Sequence, residues 1–269
     1  MNEHDFKFYQ DVLQQESGIF LSPDKTYLLN TRLTPLCKTL GFDTLEDYTQ
    51  HLKSSGDRGA LNMVIEAMTT NETSFFRDVK PFQHLKSGIL PRLLERRGDL
   101  RRLRIWSAAC STGQEAYSIA MTLKEVSVQS VGWQFDIIGT DIADHVLKKA
   151  QEGRYNTFEI QRGLSMPQIV RHFDQRDQDW VIKEELRKMV QFKRFNLLEP
   201  ATRLGNFDII FCRNVLIYFN AETKLRVLKS LHASMANDGV LLLGSCENIM
   251  SDRSGFMPLE NMHGVYVKG

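Results

Sequence analysis

The spacing of apolar and polar residues divides the chain into a helical first part and a second part in which strands alternate with helices. In the first part, apolar side chains recur at the spacing that is typical of amphipathic helices. Ser22 and Pro23 have the residue types of a helix start, and Pro35 predicts a kink or break in that helix. Asp57 is expected to cap a later helix. We therefore predict an N-terminal helical domain and linker over residues 1–78.

From about residue 79 onward, short apolar runs alternate with amphipathic helices. This alternation implies βαβ units, so we predict an α/β fold with a doubly wound, Rossmann-like parallel sheet over residues 79–269. The helix before the fifth strand is expected to end at Gly239, and the tail is expected to add an antiparallel hairpin. The stretch before the third strand is too long for an ordinary connection, so it predicts a small inserted subdomain of about residues 155–190.

Composition and charge exclude several classes of protein. The 269 residues contain 34 Lys and Arg against 33 Asp and Glu, a net charge of +1, which disfavours a general nucleic-acid binder. The four cysteines lie far apart without a CxxC pair, which predicts reduced thiols in a cytoplasmic protein. The seven histidines form no ligand-spaced cluster, so no metal is expected. The polar start and the lack of a long apolar run predict neither a signal peptide nor membrane insertion.

The end of the first strand is a loop of small residues, Ser107 to Gly113, that leads into a helix. Open parallel sheets bind ligands at such strand ends. The loop has neither the GxGxxG pattern nor the lysine of a P-loop, which disfavours a pyrophosphate ligand. A ligand with an adenosine and a charged amino-acid tail fits better, and S-adenosylmethionine is such a molecule. Because many βα turns are rich in small residues, an ordinary turn is the alternative.

Polar residues at the neighbouring strand ends add candidates, each with a structural alternative. Asp141 can accept hydrogen bonds from both hydroxyls of a ribose, or it can cap the next helix. Glu115 can hold an ammonium group or complement a helix dipole. Arg213 and Asn214 interrupt an apolar strand and its exit, which is costly unless these groups are satisfied, and this favours a site. Tyr218 can line that site or be a core aromatic residue.

Three sequence blocks together resemble a known family. They are TTNETSFFR (69–77), WSAACSTGQEAYS (106–118) and FCRNVLIYF (211–219). In this order and spacing they closely resemble the CheR-type chemotaxis protein methyltransferases, and the resemblance runs over nearly the whole chain. It implies an S-adenosylmethionine-dependent methyltransferase sheet, an N-terminal helical domain and a small inserted β-subdomain.

The resemblance also implies a reaction and its residues. The enzyme would methylate glutamate side chains in the cytoplasmic helical region of membrane chemoreceptors, giving methyl esters for sensory adaptation and S-adenosylhomocysteine as the second product. The residues assigned to the cofactor are Asn71, Thr73, Arg77, Glu115, Asp141, Asn196, Leu197, Arg213 and Asn214. Arg77 and Tyr218 would face the incoming glutamate as catalytic residues. Basic residues of the second helix would dock the acidic receptor region, namely Lys25, Arg32 and Lys38.

The inserted subdomain resembles the part of the family that, in some members, grips a pentapeptide at the receptor's C-terminus. The loop of those members is longer and rich in glycine, whereas residues 173–186 contain none, so we predict a pentapeptide-independent member. A purely structural subdomain is the alternative. Two other functions stay open: a methyltransferase for a small molecule or RNA, and a non-catalytic sensor of S-adenosylmethionine or S-adenosylhomocysteine. The neutral charge disfavours RNA, and the presence of Arg77 and Tyr218 disfavours a sensor.

Overall fold

The computed structural model describes residues 2–126, 132–249 and 252–269, and the chain divides into two units. The first unit runs to Thr70 and also includes Tyr218–Lys224; the second holds Asn71–Ile217 and Leu225–Gly269. The predicted boundary after residue 78 lies later in the chain than this division. Within the described ranges, no helix combines the length and the apolarity that crossing a membrane requires.

The first unit is helical, as the apolar spacing predicts. Its helices are α1 (Glu3–Ser17), α2 (Thr26–Thr39), α3 (Leu45–Ser55) and α4 (Arg58–Met68). The carboxylate of Asp57 accepts the N–H groups of Gly59 and Ala60, which confirms that Asp57 caps α4. Such caps satisfy backbone donors that have no partner inside the helix.

Helix α2 differs from its prediction at two points. Ser22 and Pro23 begin a 3₁₀ turn, Pro23–Lys25, and α2 itself starts at Thr26. The helix also runs without a break through Pro35. Leu29, Leu33 and Cys37 are buried on both sides of the proline, so packing of this face offsets the lost backbone hydrogen bond.

The second unit is built from ten strands and eight helices within the described residues. The strands are β1 (Arg102–Ala108), β2 (Gln134–Asp141), β3 (Arg154–Asn156), β4 (Phe173–Arg176), β5 (Asp179–Ile182), β6 (Val190–Arg194), β7 (Phe207–Cys212), β8 (Met235–Leu243), β9 (Phe256–Pro258) and β10 (Val265–Lys268). The helices are α5 (Lys80–His84), α6 (Leu90–Arg96), α7 (Gln114–Val126), α8 (Asp144–Glu152), α9 (Thr157–Gln161), α10 (Met166–His172), α11 (Glu184–Arg187) and α12 (Ala221–Ala233), whose first residues are counted with the first unit. A π-helical turn, Leu85–Ile89, joins α5 to α6.

The main sheet has seven strands in the order β6-β2-β1-β7-β8-β10-β9. The five strands from β6 to β8 are parallel neighbours, and β10 and β9 add antiparallel pairs at one edge. The central strand β7 is buried along its whole length, as expected for a strand covered on both faces. The doubly wound sheet, its closing hairpin and the helical first unit confirm the predicted fold class.

The end of α12 corrects one prediction. The helix stops at Ala233, and residues up to Gly239 belong to strand β8. Met235 pairs with Phe207 of β7, and a bulge between Phe207 and Ile209 restores the register. Pairing with β7 therefore makes residues 235–239 part of a strand, although their polar side chains favour the end of a helix.

The inserted subdomain is a separate three-stranded antiparallel sheet in the order β3-β5-β4, with α9, α10 and α11 around it. The ring of Phe75 packs edge-on against Tyr155 and Phe173, at centroid distances of 5.0 and 5.5 Å. Phe75 is fully buried by these contacts. The subdomain thus anchors the segment that begins the second unit.

Candidate functional site

Parallel pairing of β2, β1 and β7 brings the carboxyl ends of these strands to one edge of the sheet. Three groups of predicted residues follow these ends: the turn after β1, Asp141 at the end of β2, and Arg213 after β7. The turn is tied to its neighbour because the Cys110 N–H donates to the carbonyl of Thr140, at 2.8 Å. The sheet therefore assembles residues that lie far apart in the sequence.

The turn after β1 connects Asp141 to the start of the second unit. Ala109, Ser111 and Gly113 have positive φ angles of 58°, 50° and 92°, so the backbone reverses sharply. The Ser111 N–H donates to Asp141 Oδ2, at 2.9 Å, and the Ser111 hydroxyl donates to the Asn71 carbonyl, at 2.7 Å. One serine thus holds both the carboxylate and the chain that carries Asn71.

Asp141 is buried at the end of β2, with 7% of its surface exposed. Its second oxygen accepts the N–H of Ala143, which is itself the N-cap residue of α8, so Asp141 does not occupy the cap position. Burial raises the pKa of the carboxyl group, and the N–H groups of Ala143 and Ser111 oppose that rise. A third N–H, of Ile142, also lowers the pKa, and a carboxylate can accept about four hydrogen bonds, so the group keeps capacity for a ligand hydroxyl.

Arg213 and Glu115 form a buried ion pair. The Arg213 side chain is only 1% exposed, and it donates to Glu115 and to Asp78, each at 2.8 Å, and to the carbonyl of Arg77, at 2.7 Å. Glu115 also accepts the hydroxyl of Ser107, at 2.8 Å. The charge that interrupts the apolar strand is therefore satisfied by protein groups, and the cofactor roles of Arg213 and Glu115 stay predictions.

The residues Asn71 to Val79, here called the linker segment, are fixed by contacts within the second unit. Phe76, Asp78 and Val79 have φ angles of 47°, 67° and 52°, which non-glycine residues rarely adopt. The Phe76 N–H donates to the hydroxyl of Ser118, at 2.9 Å. Such strain persists only where surrounding contacts hold the backbone in place.

The charged residues of the linker segment are also placed by hydrogen bonds. The Arg77 guanidinium donates to the carbonyl of Glu72, at 2.8 Å, and the Glu72 carboxylate pairs with Arg162 of the inserted subdomain, at 2.6 Å. The amide of Asn71 lies 3.3 Å from Nε2 of His145 on α8. Thr73 is half-buried in the same segment.

Asn196 and Leu197 follow the end of β6, next to Asp141. The N–H of Phe195 donates to the Asp141 carbonyl, at 2.9 Å. The side-chain oxygen of Asn196 accepts the N–H of Leu198, at 3.0 Å, which shapes the turn. These two half-buried residues thus follow the strand that pairs with the end of β2, where Asp141 lies.

Comparison with known proteins identifies the family. Residues 71–265 match the family model described as the CheR methyltransferase SAM binding domain, and residues 4–69 match the CheR methyltransferase all-alpha domain. The chain belongs to the CheR family of chemotaxis protein methyltransferases. The predicted family membership is therefore confirmed.

The similarity covers nearly the whole length of curated relatives. Chemotaxis protein methyltransferase 1 of Pseudomonas aeruginosa is 41% identical over 248 residues, which cover 90% of this chain and 89% of that protein. The chemotaxis protein methyltransferase of Listeria monocytogenes is 34% identical over 269 residues, covering 99% of this chain and 98% of that protein. Family membership makes this chain an S-adenosylmethionine-dependent chemotaxis methyltransferase.

The donor set of this CheR family member fits S-adenosylmethionine. The turn after β1 carries no lysine or arginine that would favour phosphates, and two buried carboxylates lie next to it, Asp141 at the end of β2 and Glu115 in the first turn of α7. Nε of the buried Arg213 has no hydrogen-bond partner among the described residues. An unpaired N–H on a buried guanidinium is costly, so it favours an acceptor such as the carboxylate of an amino-acid tail.

Four of the predicted residues belong to the first unit. The carbonyl of Tyr218 accepts the N–H of Phe20, at 2.8 Å. Arg32 donates to the carbonyls of Met68 and Thr69, at 2.7 and 3.0 Å, so its guanidinium holds the end of α4. The remaining two, Lys25 and Lys38, are exposed. The docking role predicted for these basic residues stays a prediction.

One residue at this edge of the sheet escaped the sequence analysis. Glu247 follows β8 and is buried, and its carboxylate accepts backbone N–H groups from the chain that leaves β7. An acidic residue just beyond an apolar strand was the available signal, because β8 ends at the same edge as β7. Its contacts link chain positions more than 30 residues apart, so only the folded chain shows them.

Proposed function

We propose that this chain methylates glutamate side chains of methyl-accepting chemotaxis receptors and thereby forms glutamate methyl esters for sensory adaptation. The observation that carries the proposal is the hydrogen-bond chain from Asn71 through Ser111 to Asp141, joined in the same unit by the Arg213–Glu115 pair. It brings together residues from all three sequence blocks that resemble the family. The same cluster supports S-adenosylmethionine as the donor, held by Asp141 at its sugar and by Asn196 and Leu197 beside its adenine.

The reaction needs positioning more than proton transfer. When bound, S-adenosylmethionine supplies an electrophilic methyl group on its sulfonium. A substrate glutamate is already ionised near neutral pH, so no residue of this chain has to remove a proton. The protein's task is to align the carboxylate for in-line attack and to exclude water.

Arg77 and Tyr218 are the residues to which we assign that task. Arg77 would orient the carboxylate through charge-assisted hydrogen bonds, and Tyr218 would donate a hydrogen bond to the other oxygen. The support for Arg77 is its place in the fixed linker segment, where Arg213 holds its carbonyl and Glu72 holds its guanidinium. A loose arginine would neutralise the nucleophile without aligning it.

We further propose that the protein acts in the cytoplasm without a receptor tether. The hairpin between β4 and β5 turns through Asp177 and Gln178 alone, which leaves no glycine-rich loop for a pentapeptide. The acidic receptor region would instead be met by Arg32 and Lys38 of α2 and by Lys25, which lies in the 3₁₀ turn before that helix; Lys25 and Lys38 are exposed. The ester removes a negative charge from the receptor, which offers a physical basis for adaptation.

Transfer of a labelled methyl group to receptor-rich membranes tests the proposal. We expect incorporation that is released by base as methanol, at the same rate for receptors with and without their C-terminal residues. Binding of S-adenosylhomocysteine without any transfer to receptors would overturn the catalytic proposal and favour a sensor. Transfer that stops when the receptor tail is removed would overturn only the proposed independence from the pentapeptide.

A further inference from the structure

We propose that Glu247 is a positioning residue for the methyl transfer: its buried carboxylate holds the backbone that leads from Arg213 towards Tyr218. The inference rests on the proposed function and adds a residue to it. The hydrogen bonds of Glu247 go to backbone N–H groups, one of which belongs to the predicted cofactor residue Asn214. It therefore acts through the segment that it holds.

A single carboxylate gathers four backbone donors. Oε2 accepts the N–H of Asn214, at 2.7 Å, and the N–H of Gly244, at 2.8 Å. Oε1 accepts the N–H of Val215, at 3.0 Å, and the N–H of Leu216, at 2.8 Å. Glu247 is 5% exposed, so these bonds are shielded from water. Hydrogen bonds to an ionised acceptor are about twice as strong as neutral ones.

The segment needs such an acceptor because it has left the sheet. Strand β7 ends at Cys212, and Asn214 has a φ of 59°, outside the extended conformation. Three successive N–H groups there, from Asn214 to Leu216, have no strand partner and would be costly if left unpaired. Glu247 pairs all three and so selects one path for this chain.

The end of β8 is shaped to admit the carboxylate. A Cβ at position 244 would lie 2.7 Å from Glu247 Oε2 and 2.8 Å from Asn214 Nδ2, closer than real Cβ contacts. Glycine at position 244 is therefore required for the approach of Glu247 to Asn214. Within the described part of the chain, Glu247 forms no salt bridge, and its carboxylate is met by four backbone N–H dipoles.

The segment that Glu247 holds, residues 214–216, lies between two residues with predicted roles in the site. Arg213 lies immediately before the held residues and pairs with Glu115, and Tyr218 follows two residues after Leu216. A shift of the segment would displace Asn214, a predicted cofactor residue, and disturb Arg213 beside it. Displacement by about 1 Å can cost a reaction about 100-fold in rate.

The experiment compares Glu247→Gln with Asp208→Asn as the matched control. Asp208 is also a buried carboxylate that accepts a backbone N–H, from Arg104 at 2.7 Å, but it lies at the other end of β7. Both substitutions are expected to lower thermal stability. At a temperature where both variants are folded, Glu247→Gln is expected to lower kcat for receptor methylation about tenfold or more, and Asp208→Asn to change it less than about twofold.

Two further readouts do not depend on turnover. Calorimetry with S-adenosylhomocysteine is expected to show weaker binding to Glu247→Gln and unchanged binding to Asp208→Asn. Hydrogen exchange in the protein without cofactor is expected to show lost amide protection at Asn214, Val215 and Leu216. Glu247→Asp keeps the charge with a shorter reach, and it is expected to recover part of both kcat and affinity.

The outcomes separate this inference from the proposed function. If Glu247→Gln keeps both kcat and affinity within about twofold of the unmodified protein, Glu247 is merely structural and the inference is overturned. If the unmodified protein methylates no receptor, the proposed function fails, and affinity for S-adenosylhomocysteine still decides the role of Glu247. If Glu247→Gln does not fold, Gly244→Ala, which crowds the same carboxylate, is measured in its place with the same expectations.

Discussion

The two ends of strand β7 bury charged groups in different ways. At its amino end, Arg97 pairs with Asp208 and Asp238, and Asp208 also accepts the N–H of Arg104. At its carboxyl end, Arg213 pairs with two acids, and Glu247 holds backbone N–H groups without a cation among the described residues. Both ends satisfy their charges, as burial requires.

Non-glycine residues with positive φ are more numerous at the carboxyl end, where Asn214, Phe76 and Asp78 have such angles at or beside the strand. At the amino end Arg97, Asp208 and Asp238 do not, although Arg101, next to the start of β1, does. Strained, charge-rich segments concentrate where ligands bind, because the surrounding structure has to hold them in a reactive arrangement. The comparison supports our proposal that the carboxyl end serves function as well as stability.

The largest effect is expected from Arg213→Met. Removing the guanidinium leaves Glu115 and Asp78 without their partner, and the free energy of unfolding should fall by about 3–5 kcal/mol. Methyl transfer and cofactor affinity should fall as well, because the linker segment loses the hydrogen bonds that Arg213 donates to Arg77 and Asp78. Chemical denaturation and calorimetry measure the two losses. A stable variant with normal affinity would contradict a site role for this end of the strand.

Arg97→Met makes the matching change at the amino end. It leaves Asp208 and Asp238 unpaired, but Arg97 is 13% exposed against 1% for Arg213, so water compensates more. We expect a loss of about 3 kcal/mol in the free energy of unfolding. The kcat of the folded fraction should stay within about twofold of the unmodified protein. A large loss of kcat at low temperature would remove the distinction between the two ends.

Arg77→Ala and Tyr218→Phe test the catalytic assignment. Both should lower kcat by about 100-fold or less, equivalent to about 2.7 kcal/mol, because the substrate carboxylate loses an orienting donor. Cofactor affinity should change much less than kcat. Steady-state kinetics and calorimetry on the same preparations give both values. Equal losses in kcat and affinity would show that these residues bind the cofactor and do not orient the substrate.

Asp141→Asn tests whether the carboxylate at the end of β2 binds the ribose of the cofactor. The amide keeps one acceptor oxygen but replaces the other with a donor, so one ribose hydroxyl would lose its partner. We expect affinity for S-adenosylhomocysteine to fall about tenfold, or about 1.4 kcal/mol. Glu95→Gln, an exposed acid on α6, serves as the control. If calorimetry shows unchanged affinity for Asp141→Asn, the Asp141 carboxylate does not bind the ribose hydroxyls.

The smallest effect is expected at His172, a buried residue whose ring has neither an ion pair nor a hydrogen bond among the described residues. Among the described residues, His172 is 3% exposed and its ring nitrogens have no hydrogen-bond partner, and burial lowers the pKa of its imidazole. The folded state favours the neutral ring, so its contribution to stability is complete above about pH 6.5 and is lost as the pH falls below that value. We expect a loss of under about 1 kcal/mol between about pH 7 and pH 5.5.

Comparison with His172→Leu measures this contribution. Chemical denaturation across the pH range should show a shallower decline for the variant, since it has no imidazole to protonate. Other groups titrate equally in both proteins, so only the difference between the two curves counts. Parallel curves would show that the imidazole titrates alike in the folded and unfolded chain.

Much of the fold follows from local patterns in the sequence. Helix starts such as Asp57 and the alternation of apolar strands with helices predicted the two parts of the chain and the parallel sheet. The misses lie where packing overrides local preference. Helix α2 continues through Pro35 because its buried face holds it, and pairing of Met235 with Phe207 draws polar residues into β8.

The sequence by itself determined the fold class and the family and predicted the strand ends at which we propose that the chemistry takes place, because periodicity and the order of short motifs are local properties of the chain. Only the tertiary structure decided which groups meet: that Arg213 pairs with Glu115, that Ser111 joins Asp141 to Asn71, and that Glu247 holds the exit of β7. These contacts join residues 30 or more positions apart. Their geometry depends on the sheet that brings the strands together, which no local pattern encodes.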